Sequence, residues 1–250
     1  MKLALLSDIH ANIHALDACL EHARQAGCDR IALLGDLVGY GADPVPVMER
    51  VMALARDGAV VIKGNHDVLA VEPPVQTQQM GDVTARWTHG QLSAAQRQFL
   101  AALPMTATVG PCFLVHASAD APAQWRYVEN ARSAGASLDA ALATPGIRYV
   151  FGGHVHLQTL YYKGSGRGLM AFQPTAGVAI PTPARRQWIA TVGSVGQPRD
   201  GEPAAMYALF DLTQTRLCFQ RVAYDHGAAA ASVRRAGLPE FLARRLEEGW

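Results

Sequence analysis

Five times within the first 156 residues a short apolar run stops on a polar residue, and the stretches between several of these runs have helical spacing. Lys2 to Leu6 ends in SDIH, IALL at 31–34 in GD, VVI at 60–62 in KGNHD, CFLV at 112–115 in HAS, and YVF at 149–151 in GGHVH. Runs that are apolar throughout, rather than alternating, are expected of strands buried on both faces. After the first run Ile13, Leu16, Leu20 and Ala23 recur on one helical face, with Asn12 as a cap and Gly27 as a stop. PVPVMERVMALAR reads as the next helix, and residues 77–102 as a helical stretch broken near His89 and Gly90 and ended by Pro104. Strands alternating with helices predict an α/β fold built on parallel strands.

The C-terminal third changes character. LYY, LMAF, WIATVG, MYALFDL and RLCFQRVAY are spaced like strands of an antiparallel meander between glycine- and proline-rich turns. A final helix is expected over residues 227–247, with an interruption around Gly237 and Pro239. No repeat, low-complexity tract or linker divides the chain, so a single αββα-type domain over residues 1–250 is expected.

Composition narrows the function classes. With 22 basic and 21 acidic residues the net charge is +1, so the chain carries no electrostatic footprint for nucleic acid or a membrane surface. Cys19, Cys28, Cys112 and Cys218 form no CxxC pair, which fits buried thiols in a reducing, cytoplasmic setting better than disulfides or a thiolate metal site. The opening MKLALL is cut short by Asp8 and His10 before it reaches the about 7–15 apolar residues of a signal peptide, and no stretch is long enough to span a membrane.

The polar residues at the strand ends carry the chemistry. They are Asp8 and His10, then Asp36, then Asn65 with His66, then His116, then His154 and His156. In an α/β sheet the carboxyl ends of the strands form the crevice where ligands bind, which places all of them on one rim. In an extended segment residues i and i+2 point the same way, so His154 and His156 are expected to share a face. Each residue also has an ordinary reading: Asp8 and Asn65 as helix caps, Asp36 as a turn residue, His116 as a histidine bonded to backbone. Those readings do not account for five successive strands ending alike. Imidazoles and carboxylates without cysteine suit Mn, Fe, Zn, Ni or Co. Two aspartates, one asparagine and four histidines besides His66 suffice for two ions sharing one carboxylate, the arrangement that serves phosphoryl transfer at a separation of about 3.5–4 Å. His14, His22, His89 and His226 have no second feature beside them.

In order, SDIH, GDLV, GNHD, VHAS and GHVH resemble the calcineurin-like metallophosphoesterases over roughly residues 2–225, and GSVGQPRDG at 193–201 resembles the compact bacterial and archaeal phosphodiesterase branch. The resemblance implies a four-layer αββα sandwich of two mixed β-sheets flanked by helices. It implies one metal bound by Asp8, His10, Asp36 and His156, and a second by Asp36, Asn65, His116 and His154, with manganese favoured. It implies hydrolysis of a small phosphoester by a hydroxide shared between the ions, with His66 contacting phosphate and donating a proton to the leaving group. Asp67 reads either as an orienting carboxylate for His66 or as a cap.

Departures from the family pattern bear on the substrate. Serine/threonine-type phosphatases carry arginines in GDxVDRG and after GNHE that bind a phosphate dianion; here Gly39, Tyr40 and Leu69 stand at those places. Diadenosine tetraphosphate hydrolases usually keep the first of those arginines. A monoanionic diester needs less compensation, so a phosphodiesterase is expected, with a phosphomonoesterase or diadenosine tetraphosphate-type hydrolase as alternatives. Arg126, Arg185, Arg186 and Arg199 are candidates for a replacement clamp, although each reads equally as a solvated charge. Ala117 replaces the glycine common after the histidine of VHGS. Non-catalytic scaffold members of the superfamily are expected to lack metal histidines, whereas all are present here. A nuclease would want a basic groove. Residues 71–91 and 119–135 hold no recognisable motif, and nothing in the pattern specifies an oligomeric state.

Overall fold

The computed structural model describes residues 1–76, 79–164 and 168–250. Its strands, numbered in chain order, form two mixed sheets of six. The first runs β3 (Val60–Ile62), β2 (Arg30–Leu34), β1 (Lys2–Leu6), β11 (Ala205–Asp211), β12 (Arg216–Val222), β9 (Ala179–Pro181). The second runs β4 (Thr106–Val109), β5 (Cys112–Val115), β6 (Tyr149–Gly152), β10 (Trp188–Val192), β7 (Gln158–Lys163), β8 (Leu169–Phe172). Each sheet has three consecutive parallel strands, β3–β2–β1 and β5–β6–β10, and its remaining pairings are antiparallel.

Alternation along the strands builds the layers. Leu3 and Leu5 of β1 face the second sheet and, with Phe210 and Phe219 of their own sheet, meet its Leu114, Tyr149, Phe151 and Ala190. The intervening Ala4 and Leu6 face the opposite way. There they pack under α1 (Ile13–Gln25) and α2 (Pro44–Arg56) through Leu16, Cys19, Val47, Met48 and Val51. On the outer face of the second sheet Val115, Val150 and Ile189 pack under Ala134, Leu138 and Ala141 of α6 (Ala131–Leu142). The order helix, sheet, sheet, helix is the expected αββα sandwich. Burying each leucine of β1 contributes about 2 kcal/mol before entropy is counted.

Several elements differ from the sequence expectation. The C-terminal strands are not one meander: β10 pairs antiparallel with β7 but lies parallel beside β6 on its other edge, while β11 and β12 join the first sheet. The helical stretch expected over 77–102, whose first two residues lie outside the described ones, is α4 (Met80–Gln91) and α5 (Ala94–Ala102). Its break falls at Leu92 and Ser93, because Ser93 caps α5 by accepting the Gln96 N–H, and Gly90 lies inside α4. The final helix is interrupted as expected, giving α7 (His226–Arg235) and α8 (Glu240–Glu248) around a left-handed Gly237. Short α3 (Asn65–Val71), α6, β4 and β9 have no counterpart in the sequence reading.

Candidate metal centre

Six parallel strands, three from each sheet, end on the rim that carries the candidate residues. Asp8 and His10 follow β1, Asp36 follows β2, Asn65 and His66 open α3 after β3, His116 follows β5, and His154 and His156 follow β6. The sixth strand, β10, delivers the loop 193–199, which is tied to the others: Val195 and Gly196 donate to the carbonyls of Ser7 and Asp8. The chain reaches the rim through backbone that ordinary residues avoid. Asp8, His10, Asp36, His154 and His156 all have φ between +48° and +67°. Each such residue costs of order 1 kcal/mol, and a cluster of them in one place marks a site the surrounding fold holds in shape.

The GGHVH segment illustrates this and corrects the sequence argument. Its histidines share no strand face, because β6 ends at Gly152 and left-handed turns at His154 (φ +67°) and His156 (φ +59°) aim the two rings separately. His154 packs against His116 and stacks on Tyr127, whereas His156 stacks on His10. Gly153 is required by close approach, since a Cβ there would run into the Asp8 carboxylate and the Ser7 hydroxyl; Gly64 is likewise held against Asp36.

Two groups of potential ligands result, Asp8 with His10 and His156, and Asp36 with His116 and His154; within each group the ligand atoms lie within 4.8 Å of one another. All six residues are buried. Asp36 links the groups, its Oδ2 lying 3.3 Å from His116 Nε2 and 3.7 Å from His10 Nε2. Asn65 Oδ1 sits 3.2 Å from His116 Nε2. Backbone carbonyls fix the tautomers: Nδ1 of His10, His116 and His156 donates to Val38, Leu34 and Gln197 at 3.3, 2.8 and 2.6 Å. Their Nε2 atoms are thereby turned to the crevice. His154 does the reverse, donating through Nε2 to the Trp125 carbonyl at 2.9 Å and leaving Nδ1 free.

This donor set fits cations. His10 and His156 bring their Nε2 atoms to 3.1 Å with both Nδ1 protons committed elsewhere, so neutral rings would point lone pairs at each other. Asp8 Oδ1 is buried without a hydrogen-bond partner although His156 Nε2 is 3.2 Å away. A positive ion between these atoms relieves both conditions.

Electrostatics point the same way. Burial raises the carboxyls of Asp8 and Asp36, but the imidazoles around them, His156 foremost for Asp8 and His116 for Asp36, outweigh it and hold both below the usual range. Burial pushes His10 well down and His154 down to about 4, keeping both neutral. For His116 burial is overcome by Asp36, which lifts it to about 9.

His66 belongs to neither group. Its backbone N–H donates to Asp36 Oδ1 at 2.8 Å, while its ring Nδ1 is buried without a partner and the ring packs 4.3 Å from that of Tyr40. Asp67 does not orient that ring. Its carboxylate accepts the N–H of Gly64, Leu37 and Val38, capping α3 and pinning the turn after Asp36.

Three features escaped the sequence reading: Tyr40 as a ring against both His66 and His10, Trp125 and Tyr127 beside the second group, and Arg245 of α8. Of the four candidate arginines, Arg199 lies over Tyr40; Arg126, between Trp125 and Tyr127, pairs with Asp120, and Arg185 and Arg186 line a separate surface hollow with Lys163.

Two mixed sheets packed face to face and flanked by helices are the fold of the calcineurin-like metallophosphoesterases. Residues 1–215 match the calcineurin-like phosphoesterase superfamily domain, and the chain belongs to that superfamily. An uncharacterized protein of Methanocaldococcus jannaschii is 30% identical over 253 residues, spanning 98% of this chain and 96% of its own. The crystal structure of a metallophosphoesterase from Sphaerobacter thermophilus is 34% identical, with a TM-score of 0.87 over 100% of this chain and 99% of that one. A hypothetical protein from Pyrococcus horikoshii OT3 shares the fold, with a TM-score of 0.76 at 20% identity over 100% of this chain and 98% of that one. Among the described residues no helix is long and apolar enough to cross a membrane.

Proposed function

We propose that the chain hydrolyses phosphodiesters with two transition-metal ions, manganese the first choice. Asp8, His10, Asp36 and His156 would hold one ion, and Asp36, Asn65, His116 and His154 the other. The observation that carries this reading is the position of Asp36 Oδ2, within 3.7 Å of an imidazole nitrogen from each group. Such ions supply charge neutralisation on the phosphate and a water acidic enough to attack it at neutral pH. The free cysteines support a reducing, cytoplasmic location.

The protein's own groups do the rest. In this reading His66 touches the phosphate and protonates the leaving oxygen. Burial, then His156 and His116, keep its ring below the ordinary histidine range against the pull of Asp36. It is therefore neutral in the free protein, and the negative charge of a bound substrate is what raises it toward a proton donor. Glycine close by suits that ring: a Cβ at Gly39 would collide with His66, and one at Gly81 would crowd it.

The preference for a diester rests on Gly39, Tyr40 and Leu69. At position 40 an aromatic ring, not a guanidinium, lies beside His66. With bis(p-nitrophenyl) phosphate and p-nitrophenyl phosphate at saturating manganese, kcat/KM is expected to favour the diester by about tenfold or more, about 1.4 kcal/mol in transition-state binding. A preference for the monoester overturns the diester assignment, and activity unaffected by chelation overturns the metal assignment.

A further inference from the structure

We propose that Arg199 and Arg245 form a subsite for a second anionic group of the substrate, next to the phosphoester held at the metals; the inference rests on the phosphoesterase reading and names the substrate class. Arg199 follows β10 in the loop 193–199, and Arg245 lies on α8, 46 positions later in the chain. Both donate to one acceptor, Gln197 Oε1, at 2.8 and 3.1 Å. Two like charges thus meet on a neutral amide. No carboxylate among the described residues pairs with either, while Arg221, Arg234 and Arg244 nearby in sequence all have acidic partners. The Nε of each is also buried without a hydrogen-bond partner. Arg245 Cζ lies 4.4 Å from the centre of the Phe241 ring and 5.9 Å from that of Trp250, so the pair is flanked by aromatic faces but has no anion among the described residues. A half-buried pair of guanidiniums without a carboxylate is a place where an anion gains much.

Its position relates it to the metals. The Gln197 carbonyl accepts from His156 Nδ1 at 2.6 Å, and its N–H donates to Ser194 Oγ, which itself donates to the Asp8 carbonyl. The residue that gathers the two arginines therefore also orients a ligand of the first group. Arg199 Cζ lies 5.9 Å from the centre of the Tyr40 ring, and that ring touches His10 and His66. Neither guanidinium has a hydrogen bond or ion pair to any of the eight candidate site residues. Arg199 stands one ring away from His66, and Arg245 joins it through the Gln197 amide, the place of a neighbouring group on the substrate rather than of the scissile phosphate.

The substrate class is accordingly a phosphodiester bearing a further phosphate or carboxylate. Two probes share one scissile bond: the p-nitrophenyl ester of thymidine 5′-monophosphate, and the same ester carrying a 3′-phosphate. The wild-type protein is expected to show kcat/KM about tenfold higher for the 3′-phosphorylated probe. In Arg199→Gln and Arg245→Gln that ratio falls toward one, and Arg199→Lys and Arg245→Lys restore part of it. A wild-type ratio near one, or variants that lower both rates while keeping the ratio, overturns the subsite; the second result would mean that the arginines act on the scissile phosphate or on folding alone. Calorimetric titration of inorganic pyrophosphate into chelator-treated protein separates the subsite from catalysis. Binding at least about tenfold weaker in the glutamine variants than in the wild type supports it even if neither ester is cleaved, the outcome that would sink the phosphoesterase reading instead. Equal binding by all of them counts against the subsite.

Discussion

The space between the two sheets and the rim where their parallel strands end are made by the same strands and obey opposite rules. Within β1 to β3 and β5, β6 the backbone is regular and the buried side chains are apolar, so each of those adds stability by leaving water. One to four residues later the chain turns left-handed at five positions and buries two carboxylates and four imidazoles close together. Those residues cost stability and are held in place by the sandwich beneath them. The contrast explains why a strand end that is poor for folding is good for binding an ion: its ligands are already desolvated, aimed and partly unpartnered.

Substitutions on the two sides of that boundary should separate function from stability. The largest effect is expected at Asp36, whose Oδ2 lies within 3.7 Å of an imidazole nitrogen from each candidate group. Asp36→Asn should lose metal from the purified protein and lower kcat/KM by about a thousandfold, while the metal-free protein loses only the Asp36–His116 pairing, less than the loss in Leu5→Ala. A large fall in metal-free stability would erase the distinction. On the other side Leu5→Ala, between the sheets, should cost about 3 kcal/mol in denaturant unfolding yet leave the metal content of the folded protein intact.

His66→Ala sharpens the comparison within the rim, since His66 lies among ligands without joining either group. Its rate should fall about a hundredfold with metal content unchanged; loss of both ions would make it a ligand. The smallest effect is in protons. His116, near 9 without metal, must give up its proton to bind an ion, whereas His10 and His154 are already neutral. Metal affinity should therefore weaken by about tenfold per unit as pH falls below 9, flattening above it. Calorimetry at pH 7 in buffers of different ionisation enthalpy should find about one proton released, and none would contradict the assignment of His116.

How legible the molecule was varied with the kind of force involved. Strands β1, β2, β3, β5 and β6 were visible because burial on both faces demands unbroken apolar runs. The edge strands β4 and β9 bury little and are only four and three residues long, so their composition carries no such signal. Helix α6, within ARSAGASLDAAL, has small residues on its buried face, enough to pack on the sheet but too weak in pattern to announce a helix. The sixth rim strand was missed for another reason. WIATV reads equally well as a meander strand, and only its parallel pairing with β6 brings Gln197 and Arg199 to the rim.

The sequence by itself determined which residue types stand at the strand ends, because carboxylate and imidazole at five successive exits have no ordinary structural purpose in common. It also determined the alternation that makes an α/β sandwich, and the cap at Asn12, whose side chain accepts the Ala15 N–H. Only the tertiary structure decided the rest: the left-handed turns that aim His154 and His156 at different groups, the carbonyls that choose each tautomer, the Tyr40 ring against His66, and the meeting of Arg199 with Arg245. These depend on contacts between residues 26 to 146 positions apart, and a local pattern of apolar and polar positions carries no information about which distant backbone carbonyl a ring will face.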